Sequence, residues 1–343
     1  MASDGKKYTV SVMITFYNQK PYVKECLDSI FAQKTDFDFE VLIGDDGSSD
    51  GTVEEIRAVC ESYAKDYRIF IMPREKDKRY EPIERVSGNR INLLKNASGE
   101  YCIFFDGDDF FSDELKLQKQ VDFLRSNPDC IACGHPIELY GEGVDSGTCL
   151  GKVADCTIKM KGKKFWKYCY LSSDTALFKN QLKSENVKTV KNFDDNMILL
   201  HVLSADEKSK IGILPDAMVK YRQLPDSSWN KRSEFEKVCI NLKDYVEERI
   251  FFPEFRKQSF FRHFVEIKYL YLNRKKIPSC GKYEEDLKKD KILNDLLNYK
   301  EKSYIKKVAI TVKYFYFIPY AVIRKIRYKI FNISLKLRSE KKQ

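Results

Sequence analysis

Two acidic clusters, each set directly after an apolar run, constrain this chain more than any other feature. Asp45-Asp46-Gly47-Ser48-Ser49-Asp50-Gly51-Thr52 follows Phe39-Glu40-Val41-Leu42-Ile43, and Asp106-Gly107-Asp108-Asp109 follows Tyr101-Cys102-Ile103-Phe104-Phe105. Short apolar runs bounded by turn residues predict fully buried strands. In a parallel sheet both sets of carboxylates emerge at one edge, where open α/β sheets bind ligands. Carboxylates gathered there repel one another and persist most readily around a cation, usually a divalent metal.

The flanking sequence supports such a sheet. Strands are predicted over 9–16, 39–43, 67–72, 101–105 and 130–139. Helices are predicted over 21–33, from 52 behind a cap at Ser49 or Asp50, over 85–96, and from a cap at Ser112 or Asp113 to 127. This alternation implies an α/β fold, a mainly parallel sheet with helices on both faces. Residues 141–230 are less regular, with an aromatic-basic stretch at 163–170, a strand at 174–178 and a helix after Asp194-Asp195. From Ser233 onward the sequence reads as helical. Three segments follow: a nucleotide-binding domain over 1–230, a helical extension over 231–300 and a basic tail over 301–343.

The charge of +10 sits in that tail, which holds 12 Lys/Arg against two acids, so the first 300 residues are neutral. Such a tail seeks an anionic surface. Ile305, Val308, Val312 and Phe315 share one helical face, Lys302, Lys306 and Lys313 another, and Arg324, Lys325, Arg327 and Lys329 continue the basicity beyond Pro319. This pattern predicts a pair of interfacial amphipathic helices on a membrane; a helix packed on the body with a solvated basic side is the alternative. No nucleic-acid module accompanies the charge, and no apolar run reaches the ~20 residues of a membrane span. Ten scattered cysteines and an N-terminus without an apolar leader predict a cytoplasmic, reducing setting. Cys130 and Cys133, though spaced CxxC, read as buried thiols of a strand.

The turn after the first strand, Tyr17-Asn18-Gln19-Lys20-Pro21, lacks the glycines that bring backbone against a pyrophosphate, and no P-loop is present. An acidic edge instead suits a nucleotide whose diphosphate is carried by Mg²⁺ or Mn²⁺, hard cations that take oxygen ligands. Asp106 and Asp108, one residue apart, can reach one ion. Asp45 or Asp46 can accept hydrogen bonds from a base or ribose.

The segment 10–18 (VSVMITFYN), the DDGSSDGT of 45–52, and the ASGEY of 97–101 followed by FDGDD of 105–109 together resemble family 2 glycosyltransferases of the GT-A fold. The resemblance covers about 8–230. It implies that Asp46 with Asp45 lies near uracil and ribose, that Asp106 and Asp108 touch ribose and metal-diphosphate, that Phe16 borders the nucleotide and that Arg90 faces the diphosphate. Ile91 stands where the family usually has Asn. Asp194-Asp195 resembles the family's ED pair, which makes Asp195 the base, with Asp194 in place of the usual glutamate. Tyr221-Arg222-Gln223 with Ser227-Ser228 resembles a segment closing over the donor. The processive QxxRW signature is absent. The implied reaction is inverting transfer of one hexosyl or N-acetylhexosaminyl unit from a UDP-sugar to a glycan or lipid-linked glycan, at the inner face of a membrane.

Blander roles remain open for several positions. Asp45-Asp46 can serve as a turn with a cap, Asp106 to Asp109 as a solvated turn, Asp194-Asp195 as helix N-terminal charge and Arg90 as a surface cation. His135, His201 and His263 are expected to be structural; Trp166 can stack on a sugar face or pack in a core, and Trp229 is the better candidate to face the acceptor. Two other functions fit less well. A silent GT-A glycan-binding subunit leaves the DxDD unexplained. A Mg²⁺-dependent phosphotransfer enzyme would carry its acids after the first strand, where Thr15-Phe16-Tyr17 stands.

Overall fold

A computed structural model describes residues 7–74, 81–151, 154–182, 187, 192–206, 208–224, 227 and 230–340. The chain divides into two compact units, residues 1–162 with 169–223, and residues 163–168 with 224–343.

In the first unit, β1 (Val10–Phe16) is buried along its whole length. It pairs in parallel with β2 (Phe39–Asp45) on one side and β4 (Tyr101–Asp106) on the other, and β3 (Tyr67–Ile71) extends β2 in parallel. Burial on both faces explains why β1, β2 and β4 are mainly runs of Val, Ile, Leu and Phe rather than alternating patterns. The register sets Phe16 opposite Asp45 and Thr15 opposite Asp106, so both acidic clusters leave the sheet at one edge, beside the end of β1. The intervening helices are α1 (Lys20–Phe31), α2 (Thr52–Glu61) and α3 (Pro82–Asn96).

Beyond β4 the sheet is mixed. The short β5 (Phe110–Phe111) and α4 (Lys116–Ser126) precede β6 (Cys130–Gly134) and β7 (Ile137–Tyr140). The expected single strand over 130–139 is therefore two strands in two sheets. They are broken at His135-Pro136, where proline offers no N–H to continue a ladder. The strands β8 (Cys149–Leu150) and β9 (Ile158–Lys161) and the helix α5 (Gly162–Tyr168) lead to β10 (Leu177–Lys179). This last strand runs antiparallel between β4 and β6, and Asp174 lies in the turn before it rather than in the strand. After α6 (Asp195–Ala205), β11 (Lys210–Ile213) joins β6 in parallel, and β12 (Val219–Arg222) joins β5 and β7. The large sheet has the order β3-β2-β1-β4-β10-β6-β11-β9 and the small one β5-β12-β7-β8.

The second unit is helical: α7 (Glu234–Phe251), α8 (Arg256–Arg262), α9 (Phe264–Asn273), α10 (Glu284–Leu287), α11 (Lys291–Leu297), α12 (Tyr304–Lys313) and α13 (Phe317–Glu340). A full capping box, Ser233 with Glu236, starts α7. Leu242, Tyr245, Phe264, Ile267, Leu270 and Phe317 form its core. Pro319 does not interrupt the tail; it sits in the first turn of α13, where its missing N–H has no partner to lose. Trp166 is a core residue here, its Nε1 donating to Ser259 Oγ at 3.2 Å. Among the described residues no helix is long and apolar enough to cross a membrane.

Candidate active site

The edge of the large sheet carries the site. Asp45, at the end of β2, is fully buried, and its carboxylate accepts from the N–H groups of Gly47 and Ser48, both at 2.9 Å, and from Ser48 Oγ. It closes the turn that follows the strand. Asp46 is also buried and is ion-paired with Arg85 at 2.5 Å and Arg74 at 2.6 Å. The guanidinium of Arg74 lies 4.1 Å from the ring centre of Tyr17. The oxygens of both acids are thus engaged by protein groups in this structure.

Phe16 is not at the surface of the cleft. It is 1% exposed, and a Cβ built on Gly107 would sit 2.1 Å from its ring, so Gly107 is required for the acidic loop to cross it. The exposed aromatic at this strand end is the next residue, Tyr17, at 44%. The alternation of a strand sends one side chain down and the next up.

Arg90 is no surface cation. It is buried on α3, and its guanidinium donates to Asp106 at 3.0 and 3.3 Å, ion-pairs with Asp195 at 3.5 Å and donates to the carbonyl of Phe193 at 3.3 Å. Burial works against its charge, but Asp106, Asp195 and Asp174 outweigh that and raise its pKa. Arg90 therefore joins the second acidic cluster to the start of α6. There the two adjacent acids divide: Asp194 is the N-cap, accepting from the Met197 N–H at 2.9 Å, while Asp195 turns back toward the cluster. Asp195 accepts from Ser173 Oγ at 2.8 Å and from Tyr170 OH at 3.3 Å.

Asp174, which sequence reasoning passed over, completes the arrangement. It is 1% exposed, accepts from the Asp106 N–H at 3.0 Å and from Ser172 Oγ, and is held well above the usual carboxylate range by burial and by Asp106 and Asp195. Burial and the Asp106 carboxylate push Asp108 up to about 6. Burial, with Asp174 and Asp108, raises Asp109 as well, although the Arg222 N–H donates to it at 2.8 Å. Arg222 Nε also donates to the Asp108 carbonyl at 2.9 Å, which fixes the loop from behind. By contrast Glu40, at the other end of β2, is matched by Ser11, Ser98 and Arg68; burial raises its pKa, but the hydrogen bonds from Ser98 and Ser11 outweigh burial and lower it. Carboxylates with raised proton affinity, in excess over the cations beside them, mark a place for further positive charge. Among the described residues no three His, Cys, Asp or Glu side chains are arranged to hold a metal ion, so protein ligands alone do not complete a shell here.

The three histidines are structural. His135 and His201 are buried with Nδ1 against the carbonyls of Pro136 and Met197, and His263 meets Glu248 at 2.8 Å. Cys130 and Cys133 are buried free thiols. Trp229 and Ser228 lie outside the described residues.

Residues 11–182, about half of the chain, match Glycosyl transferase family 2. A protein of Mycobacterium tuberculosis is 30% identical over 235 residues, which cover 64% of this chain and 60% of that protein. The poly(ribitol-phosphate) beta-glucosyltransferase of Bacillus spizizenii is 30% identical over 142 residues, 39% of this chain and 20% of that one. Among solved structures, residues 1–349 of S. aureus TarS in complex with UDP-GlcNAc superpose with a TM-score of 0.53 at 15% identity, covering 86% of this chain and 92% of that chain. The same fragment with UDP gives 0.50 at 17% identity, covering 87% and 76%. The match to the mycobacterial relative spans three-fifths of that protein's length. The chain belongs to glycosyl transferase family 2, and its first unit has the GT-A fold.

Proposed function

We propose that the protein transfers one sugar, with inversion, from a UDP-sugar to a hydroxyl of a glycan or lipid-linked glycan. The observation that carries this reading is the Arg90 bridge, which sets Asp195 beside Asp106 although the two are far apart in sequence. Donor carboxylates and a separate, partly exposed carboxylate are thereby held around one cation. Asp195 accepts the proton of the acceptor hydroxyl as its oxygen attacks the anomeric carbon. Ser173 and Tyr170 orient it, and Asp194 anchors the helix that carries it. Tyr17, Arg74 and the turn closed by Asp45 and Asp46 form the nucleoside side of the cleft. Asp106 and Asp108, together with diphosphate oxygens, would hold Mn²⁺ or Mg²⁺, which would neutralise the departing diphosphate. The excess of buried carboxylate over cation supports that fit.

A panel of nucleotide sugars, read by release of nucleoside diphosphate with and without Mn²⁺, tests the assignment. UDP release that needs Mn²⁺ and is lost in Asp108→Ala and Asp195→Ala is expected. No release from any donor would favour a silent binding subunit, and full activity in Asp195→Ala would remove it as the base.

The acceptor's location is proposed from the second unit, on the inner face of a membrane. On α13, Phe317, Tyr320, Arg324, Tyr328, Phe331 and Leu335 fall on one face at helical spacing and pack inward. Ile318, Val322, Ile326, Ile330 and Ile333 fall on the opposite face and are 46–60% exposed. The tail is thus both packed within its unit and apolar outside, which is the form of an interfacial helix. Because its inner face is core, the informative test is Val322→Gln/Ile326→Gln/Ile330→Gln rather than truncation. Unchanged sedimentation of this variant with anionic vesicles would refute the placement.

A further inference from the structure

Of the aromatic-basic stretch at 163–170, Tyr170 meets Asp195 in the transfer site, whereas the part at 163–168 has no role there. It supplies Lys167 to a cavity of about 360 Å³ in the second unit, lined otherwise by Arg249, Arg256, Lys257, Phe260, Tyr320 and Arg327. Five cations and two aromatic rings line this space, and no acid does. Arg249 is ion-paired with Asp290 at 3.2 Å. Among the described residues Lys167, Arg256, Lys257 and Arg327 have no carboxylate partner. Like charges converge at a cost unless an anion joins them.

The cavity is built, not incidental. Tyr168 stacks on Phe331 with ring centres 4.5 Å apart and meets Phe261 and Tyr328 edge-on. Arg324 Nε donates to the Phe261 carbonyl at 2.9 Å. These contacts seal α13 onto α5 and α8 and fix Arg327 over the cavity. Lys167 lies 4.5 Å from the Phe261 ring centre, which limits its reach, and Arg256 donates to the Arg249 carbonyl at 3.1 Å. Guanidinium forks suit phosphate oxygens, two at a time.

We propose that this cavity binds the phosphate of an anionic membrane lipid. The lipid source is argued from α13 itself. Arg327 follows Ile326 of the exposed apolar face, turned by about 100° around the helix. A helix lying in the interface sinks its apolar face roughly 5–10 Å into the headgroup boundary. Head-group phosphates then stand beside the helix at the level of Arg327 and Tyr320. The inference rests on the membrane reading of that face and goes beyond it, from diffuse attraction to one stereospecific site.

The test uses the full chain and phosphatidylcholine vesicles carrying phosphatidic acid, or a sulfolipid without phosphate at equal surface charge. Arg256→Gln/Lys257→Gln/Arg327→Gln is compared with Lys306→Gln/Lys325→Gln/Lys329→Gln, which removes the same charge from exposed positions outside the cavity. On phosphatidic acid the cavity variant is expected to lose at least about tenfold more partitioning than its control, and on sulfolipid the two should fall together. Arg327→Glu alone, a surface change, should reproduce the direction and guards against misfolding of the triple variant. Equal losses on phosphatidic acid would overturn the site while leaving the membrane reading intact. Absence of binding by the unaltered protein to either vesicle would overturn both. A melting-temperature rise with glycerol 3-phosphate that the cavity variant loses, without vesicle binding, would reassign the cavity to a soluble phosphate and overturn the lipid source.

Discussion

Asp108 gives a test of the acidic site that needs no substrate. Its carboxyl stands at about 6 in the folded chain against an ordinary 3.8, through burial and the neighbouring Asp106 charge. A carboxyl raised on folding binds its proton more tightly in the native state than in the unfolded one. Stability is therefore full below about pH 4 and falls as pH rises toward 6, after which the penalty is constant. A rise from 3.8 to about 6 corresponds to about 3 kcal/mol, and partial solvent access to the loop reduces this to about 2 kcal/mol. Asp108→Asn removes the charge and keeps the shape. The variant should match the unaltered protein at pH 4 and exceed it at pH 7 by about 2 kcal/mol, or roughly 4–8 °C in melting temperature for a unit of this size. Scanning fluorimetry across pH 4–8 reads the difference. Mn²⁺ with UDP should raise the melting temperature of the unaltered protein at pH 7 and leave the variant unmoved. A variant that is less stable at pH 7, or a difference that does not change with pH, would refute the reasoning.

Three further outcomes follow from the same geometry. Asp195→Asn should lower UDP-sugar turnover by about 10²–10⁴ with UDP affinity kept, whereas Asp194→Asn should retain most activity, since Asn caps a helix as well as Asp; steady-state kinetics separate the two. Arg90→Met strands Asp106, Asp174 and Asp195 without a cation and should cost about 3 kcal/mol at pH 7, as read by urea unfolding. Gly107→Ala drives a methyl group into the Phe16 ring and should cost about 1–3 kcal/mol together with donor binding, and Phe16→Leu in the same chain should recover part of both by calorimetry.

The edge on which Asp45 and Asp106 meet was legible because buried parallel strands announce themselves as apolar runs, and the turn residues after them mark where each run ends. Register then had little freedom: the hydrophobic strands could align only with their acidic ends together. What surrounds the acids was not legible. Asp174, Ser173 and Tyr170 lie in a loop with no periodicity, and the residues they serve, Asp106 and Asp195, are distant in sequence. Arg74 and Arg85 carried no signal that both would close on Asp46, and Arg90 read equally well as a surface cation. The break at His135-Pro136 did carry a signal, since proline cannot extend an interior strand, but the apolar residues on both sides masked it.

The choice between Asp194 and Asp195 shows where sequence reasoning ends and geometry begins. Both are acids at a helix start, where the dipole favours either. Only the backbone decides: the residue with extended φ and ψ becomes the cap and points its oxygen at the Met197 N–H, and the next, already helical, must project away from the axis. That projection brings Asp195 to Ser173 and Arg90. The same step that frees one carboxylate for chemistry thus consumes the other in the helix. A chain with the pair shifted by one residue would keep its composition and lose the carboxylate proposed as the base.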